Sequence, residues 1–218
     1  EIKFQPDISE ELLPYWPDQE YEPCYFHPNL LGWMRSDYQH IDLGIDPEVV
    51  AKAEYYPGFE AAILNIPTLS LVTATGSLFD LDTGIYINST WSGIDWERAG
   101  SIELIQSGEE GFQSNTGIRI RGGWSTRGDF VKHAFRLFFR GEYGNGKLDY
   151  PLFGEDGVDE FDKIDLRCDQ NNSWHVPYGN SNADFVHEIF ARDIQGDMQQ
   201  PYTRSIYYHL FVNGMYWG

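Results

Sequence analysis

The sequence predicts an α+β domain, a mainly antiparallel sheet with one main helix, and three observations lead to this prediction. Apolar and polar residues alternate in several short runs between residues 66 and 140, as in half-buried strands. Asn213-Gly214 separates two β-rich runs, which is typical of a tight hairpin. The stretch from about Ala183 to Met198 has the period of a helix.

Residues 1–65 are predicted to form an irregular acidic extension, which leaves residues 66–218 as the domain proper. The first sixty residues hold thirteen acids against Lys3, Arg35 and Lys52, and seven prolines interrupt them. Proline removes a backbone donor and breaks regular elements, so only a short helix from Pro47 to Ala53 is expected there.

Alternating or β-branched residues predict the strands of the domain in chain order. The runs that carry this pattern are Thr68–Thr73, Ser101–Ile105, Gly117–Arg121, Phe135–Phe139, Phe161–Arg167 and Ser205–Val212. Asp80, Asp82 and Gly84 are spaced as in a calcium loop, but the remaining ligands do not follow. A turn capped by its own aspartate is the preferred interpretation.

The predicted helix carries an apolar stripe and carboxylates whose position depends on that stripe. Ser181 or Asn182 is the expected N-cap, and Pro201 follows the end. The stripe consists of Val186, Ile189, Phe190, Ile194 and Met198. At 100° per residue Asp193 falls within this stripe, whereas Glu188 lies nearly opposite Val186. A packed carboxylate needs a cationic partner, so we expect Asp193 to face a basic side chain.

The basic side chains are concentrated between Gly117 and Lys147. This stretch holds seven of the fifteen Lys and Arg residues against two acids, in a chain of formal net charge −19. Arg119 and Arg121 alternate with isoleucines, so the guanidinium groups share one face of a strand. A loop with Gly122, Gly123 and Ser125 joins this strand to the next, which carries Arg136. Guanidinium groups and glycine amides suit phosphate oxygens, which predicts a phosphate site.

A second interpretation stays open for the same stretch. The two strands would form a long hairpin with a solvated basic face, and acids from elsewhere in the chain would pair with its arginines.

Composition and charge limit the classes of protein to which this chain could belong. No apolar run is long enough to cross a bilayer, and a pI near 4.5 disfavours nucleic acid as a partner. Cys24 and Cys168 suit either a disulfide or two thiols, and metal-binding spacing is absent from the sequence. Acidic charge with many Trp, Tyr, Gly and Asn residues is typical of exported bacterial proteins, so an extracellular or surface location is expected. Asn88-Ser89-Thr90 and Asn171-Asn172-Ser173 are glycosylation sequons.

An ordered set of segments in residues 66–218 resembles the CotH kinases, a family named for spore-coat protein H. The segments are GIYIN, DWERAGSIEL, GIRIRGGWS, KHAFRLFFRGEYGNGKLDYPLF, FDKIDLR, FARDIQGDM and YYHLFVNGMYWG. The resemblance implies an atypical protein-kinase-like fold, of which this chain looks like the smaller lobe. Ala134 departs from the family, where Ser is common, and His133 stands where many members have a second Lys.

The resemblance also implies ATP-dependent, Mg²⁺-assisted transfer of phosphate to protein hydroxyls, often on coat or surface proteins. Lys132 resembles the phosphate-binding lysine, with Asp193 or Glu188 as its partner. Arg121, Gly122, Gly123, Ser125 and Arg136 would hold the phosphates. The sequence begins with Glu rather than Met and stops in what looks like the middle of a strand, so both ends are interpreted as cut points. The resemblance implies that the magnesium ligands and the catalytic base lie after Gly218, so the chain is expected not to turn over ATP alone.

Two other functions remain open at this point. A surface module that binds carbohydrate or protein suits the seven Trp and fourteen Tyr residues, and it predicts exposed aromatic side chains. A glycoside hydrolase with paired carboxylates is a weaker alternative, since nothing in the sequence fixes the separation of such a pair.

Overall fold

The computed structural model describes residues 51–218 except 53, 55, 124–125, 127–131, 156 and 169–183. Its helices are α1 (Tyr56–Asn65), α2 (Thr75–Phe79) and α3 (His187–Asp197), with a 3₁₀ turn at Ile94–Trp96. Its strands are β1 (Thr68–Thr73), β2 (Arg98–Ile105), β3 (Gln113–Arg121), β4 (Ala134–Phe138), β5 (Leu148–Asp149), β6 (Glu160–Phe161), β7 (Lys163–Leu166), β8 (His209–Val212) and β9 (Met215–Tyr216). Three features of the sequence prediction fall wholly or mostly outside the described residues. They are Ser125, both candidate N-caps, and the predicted helix at Pro47 to Ala53, of which only residues 51 and 52 are described.

The described part of the chain is a mixed α+β structure with a mostly antiparallel sheet, as predicted. Seven strands follow the order β7-β4-β3-β2-β1-β8-β9, and β5 pairs with β6 separately. All neighbours are antiparallel except β1 and β8, whose parallel register sets Thr68 opposite His209. The Asn213-Gly214 hairpin is confirmed, with φ values of 50° and 84° at these two residues.

The apolar face of the sheet forms the core. Leu71, Ile102, Ile118 and Leu137 are completely buried, and each lies on the apolar side of its alternating strand. Trp217 is 3% exposed and its ring meets the ring of Tyr86 edge-on at 5.3 Å. The last residues of the chain therefore belong to the same core as the central strands.

The opposite face of the sheet is organised by Glu97. The side chain of Glu97 is 1% exposed, and its carboxylate accepts hydrogen bonds from Arg119 Nε at 2.6 Å and from the Tyr143 hydroxyl at 3.0 Å. Arg140 lies 3.3 Å away, and both guanidinium groups stack on the Phe138 ring. Burial, reinforced by the bond to Glu97, raises the pKa of Tyr143 to about 12.

Two segments differ from the sequence prediction in extent. Helix α1 lies within the stretch predicted to be irregular, since its Ala and Glu residues favour a helix and Pro57 occupies the first turn, where proline is tolerated. Only His209–Val212 of the predicted strand Ser205–Val212 is a strand. The parallel register places residues before His209 beyond the start of β1, which leaves them without a neighbour in the sheet.

The predicted helix from Ala183 begins four residues later, and its orientation was predicted wrongly. Phe185 has φ 56°, a left-handed conformation that interrupts a helix before His187. Asp184 Oδ1 accepts hydrogen bonds from the first two N–H groups, those of Val186 and His187. The expected packed stripe is largely solvent-exposed: Val186 is 53%, Phe190 65%, Ile194 41% and Met198 65% exposed.

Glu97→Gln is expected to lower the free energy of unfolding by about 3 kcal/mol, because Arg119 and Arg140 would lose a buried counter-charge. Urea denaturation followed by tryptophan fluorescence measures this loss. Glu103→Gln, at an exposed position of β2, is the control and should change stability by less than about 0.5 kcal/mol. Equal stability of the two variants would contradict the role of Glu97.

Candidate functional site

A cavity of about 620 Å³ lies beside the edge strand β7, between the sheet, helix α3 and the segment 203–208. This volume suits a small ligand or cofactor. Seven cationic residues line it, namely Arg121, Lys132, Arg136, Lys163, Arg167, Arg192 and Arg204. Of the acidic residues that the structure describes, only Asp165 and Glu188 line the cavity. In a chain with a net charge of −19, these cationic side chains make the wall electrostatically suited to an anionic ligand.

Asp165 holds two arginines from neighbouring strands on one side of the cavity. Its Oδ1 lies 2.5 Å from Arg136 Nε, and its Oδ2 lies 2.5 Å from Arg121 Nε and 2.8 Å from Arg136 Nη2. The register explains this contact, because Asp165 is directly opposite Arg136 in the β4–β7 pair. Burial alone would raise the pKa of Asp165, but the bonds from Arg136 and Arg121 outweigh it and hold the pKa below its ordinary value.

Glu188 holds a second pair of arginines. Its Oε2 lies 2.9 Å from Arg167 Nη2, just after β7, and its Oε1 accepts a hydrogen bond from Arg192 Nη2, one turn along α3. Arg192 Nη1 also donates to the Ser205 hydroxyl. Glu188, Ile189 and Arg192 thus form the helix face that lines the cavity. This charged contact explains why the apolar stripe of the helix faces outward.

Lys132 lies in the cavity wall immediately before β4 and is half-buried. Its carbonyl oxygen is 3.6 Å from Cys168 Sγ, another residue of the wall. A Cβ at Gly218 would lie 2.3 Å from Lys132 Nζ, so the ammonium group touches the main chain at Gly218. The structure therefore places Lys132 among the other cations of the cavity.

The predicted site residues are only partly brought together. Arg121, Lys132, Arg136 and Glu188 all line the cavity. Asp193 does not join them: it is exposed and is not part of the cavity wall. Gly122, with φ 139°, and Gly123 follow Arg121 but lie outside the wall as well, and Ser125 is outside the described residues.

The pairing with acids that the other interpretation of the basic stretch expects is present for four of its arginines. Arg119 and Arg140 pair with Glu97, and Arg121 and Arg136 pair with Asp165. Pairing does not neutralise the site, however, because one carboxylate serves two guanidinium groups in each cluster. The basic face is thus both paired and still net positive.

Apolar side chains line another part of the cavity. Leu69, Phe135 and Leu210 come from the core face of the sheet, and Ile164 and Leu166 are the inward-facing residues of β7. Lys163, Asp165 and Arg167 alternate with them along the same strand. A ligand with an apolar or aromatic body and an anionic end matches this division.

Among the described residues, no group of three or more His, Cys, Asp and Glu residues is placed to hold a metal ion. The two described carboxylates of the cavity wall, Asp165 and Glu188, are each engaged by two arginines. Their oxygens are therefore already used in ion pairs.

Two other sequence features have structural roles. Asp80 Oδ1 accepts bonds from the Asp82 and Thr83 N–H groups and from the Thr83 hydroxyl, which confirms the capped turn. Asn88 of the first sequon is 4% exposed, and its amide donates to two backbone carbonyls of this turn. The side-chain nitrogen of Asn88 therefore stabilises this turn through hydrogen bonds.

No protein-family model, curated protein or solved structure matches this chain. The resemblance to the CotH kinases therefore stays a prediction from the quoted motifs. Among the described residues, no helix combines the length and the apolar character needed to cross a membrane.

The sequence prediction missed several members of the site, although one signal was present. Lys163, Asp165 and Arg167 alternate with apolar residues in the run KIDLR, which places three charges on one face of the strand. Glu188 and Arg192 are four residues apart, the spacing of a helical ion pair. These patterns predict a charged face on the strand and a charged face on the helix. They do not show that the strand face and the helix face contact each other.

Asp165→Asn is expected to lower the free energy of unfolding by about 1 kcal/mol at pH 7, because two arginines lose a shared carboxylate. The folded-state pKa of Asp165 is depressed, so its contribution is present above the unfolded-state pKa and is lost as the pH falls below about 4. The difference between variant and parent should therefore shrink in acid. Urea titrations at pH 7 and pH 3 measure it.

The exposed Asp149→Asn is the matched control and should stay within about 0.5 kcal/mol of the parent at both pH values. A penalty for Asp165→Asn that grows in acid would contradict the assigned role of the carboxylate.

Proposed function

We propose that this chain binds ATP in the cation-lined cavity, as the nucleotide-binding part of a protein kinase that resembles the CotH family. The single observation that carries the proposal is the charge of the wall, to which the described part of the chain contributes seven cationic residues and two acids. The ordered motifs that resemble those of the CotH kinases support phosphoryl transfer as the class of reaction. The phosphoryl group would go to hydroxyl groups of a protein substrate, such as a coat or surface protein.

Phosphoryl transfer asks a protein mainly for positioning and for neutralisation of charge on the phosphates. Arg121 and Arg136 are fixed by Asp165, so their planar donors are held in place before a ligand arrives. Lys132 adds a compact charge beside the same strand. These three residues would bind phosphate oxygens.

The apolar part of the cavity would receive the remainder of the nucleotide. Leu69, Leu210 and Phe135 present the surface that a purine ring prefers, and Trp217 lines the same cavity. A magnesium ion bound together with ATP would supply positive charge that offsets the charge of the phosphates.

Titration calorimetry with MgATP tests this assignment. The parent chain is expected to bind, and Lys132→Ala is expected to weaken binding about tenfold or more, because a charged contact to phosphate is lost. Lys147→Ala is the matched control, since Lys147 is half-exposed and pairs with Glu160 outside the cavity. Absence of binding by the folded parent, or an equal loss in the control, would contradict the proposal.

A second candidate function is a surface module that binds carbohydrate, and the ring stack at Trp91 favours it. Trp91 is 56% exposed and lies parallel to Trp96, with ring centroids 5.8 Å apart and planes inclined by 14°. The guanidinium of Arg98 lies 5.5 Å from the Trp96 ring and donates to three backbone carbonyls, those of Thr83, Asp95 and Glu97. Trp91 thus presents an exposed ring stacked on a second aromatic ring, a surface on which a sugar could stack.

Sedimentation with insoluble cellulose and chitin tests this second function. If Trp91 stacks on a sugar ring, Trp91→Ala should release the protein into the supernatant, and Trp91→Phe should retain part of the binding. Phe190→Ala removes another exposed aromatic ring, on α3, and should leave binding unchanged. Equal sedimentation of all variants would rule out a role for the stack.

A further inference from the structure

We propose that Arg167 and Arg192, held together by Glu188, form a second phosphate-binding subsite beside the pair Arg121 and Arg136. This inference rests on the proposed function, because it takes the cavity as the ligand site. It assigns a binding role to two arginines outside the predicted phosphate site. Glu188 then acts as a positioning residue for these arginines.

The geometry of Glu188 supports this role. Each of its carboxylate oxygens is engaged by a different guanidinium, Arg167 on Oε2 and Arg192 on Oε1. A guanidinium has five N–H donors. Arg167 uses one of them on Glu188, and Arg192 uses two, one on Glu188 and one on the Ser205 hydroxyl. Further donors of both side chains are available to a ligand in the cavity that they line.

The second subsite repeats the charge arrangement of the first. Asp165 is shared by Arg121 and Arg136, as Glu188 is shared by Arg167 and Arg192. Each cluster carries one unit of net positive charge. Each can therefore bind an oxyanion without giving up its own carboxylate.

The two subsites are neighbours along the edge strand. Asp165 is the last charged residue of β7, and Arg167 follows two residues later, about 7 Å along an extended chain. A short chain of linked phosphates bridges such an interval, whereas one phosphate group contacts a single subsite. The second contact is then intramolecular and adds to affinity. The cavity is thus built for a polyphosphate group rather than for a single anion.

Titration of the whole chain with inorganic phosphate, pyrophosphate and tripolyphosphate at constant ionic strength tests the inference. Tripolyphosphate is expected to bind at least about tenfold more tightly than phosphate. Arg192→Gln should weaken tripolyphosphate binding about tenfold and leave phosphate binding within about twofold, because phosphate still has the other subsite. Lys147→Gln, outside the cavity, should change neither affinity.

Equal affinities for phosphate and tripolyphosphate would overturn the inference, as would tripolyphosphate binding that is insensitive to Arg192→Gln. Circular dichroism and thermal melting establish that the variant is folded. If Arg192→Gln does not fold, Arg167→Gln and the comparison of anions in the parent chain decide the matter in the same way.

The same titrations separate this inference from the proposed function. One possible result is that tripolyphosphate binds in a manner that depends on Arg192, while MgATP does not bind. It would support the two phosphate subsites and overturn the nucleotide assignment. The opposite result is MgATP binding that Lys132→Ala weakens and Arg192→Gln leaves unchanged. It would support the nucleotide assignment and overturn the second subsite.

Discussion

Two carboxylates, each shared by two arginines, determine the structure of the cavity. Asp165 ties the edge strand β7 to β3 and β4, and Glu188 ties the end of the same strand to helix α3. One carboxylate cannot neutralise two guanidinium groups, so these contacts hold the walls together and leave them positive. An interaction that stabilises the fold thereby also creates the electrostatic property of the site.

The sheet supplies the rigid part of this arrangement. Its core face is closed by buried aliphatic and aromatic residues, up to and including Trp217. Its other face holds the buried Glu97 between Arg119 and Arg140, where the carboxylate is shielded from any ligand. Charge on the basic strands is thus used in two ways. Arg119 and Arg140 bind the buried Glu97, and Arg121 and Arg136 line the cavity.

The period of two in the basic strands predicted the sheet faces correctly, because alternation alone decides which face a side chain occupies. The same rule cannot predict contacts between distant segments. The parallel pairing of β1 with β8 joins residues about 140 positions apart, and no local pattern encodes it. The orientation of α3 was predicted wrongly for the same reason. Ion pairs to Arg167, and not the apolar stripe, decide which face of that helix meets the cavity.

The central claim is that phosphate groups bind between the two arginine clusters, and a crystal structure with a non-hydrolysable ATP analogue tests it most directly. Density for the phosphates is expected between Arg136 on one side and Arg192 on the other, with Asp165 and Glu188 still bound to their arginines. An analogue bound elsewhere on the chain, with the cavity filled only by solvent, would contradict phosphate binding between the two clusters.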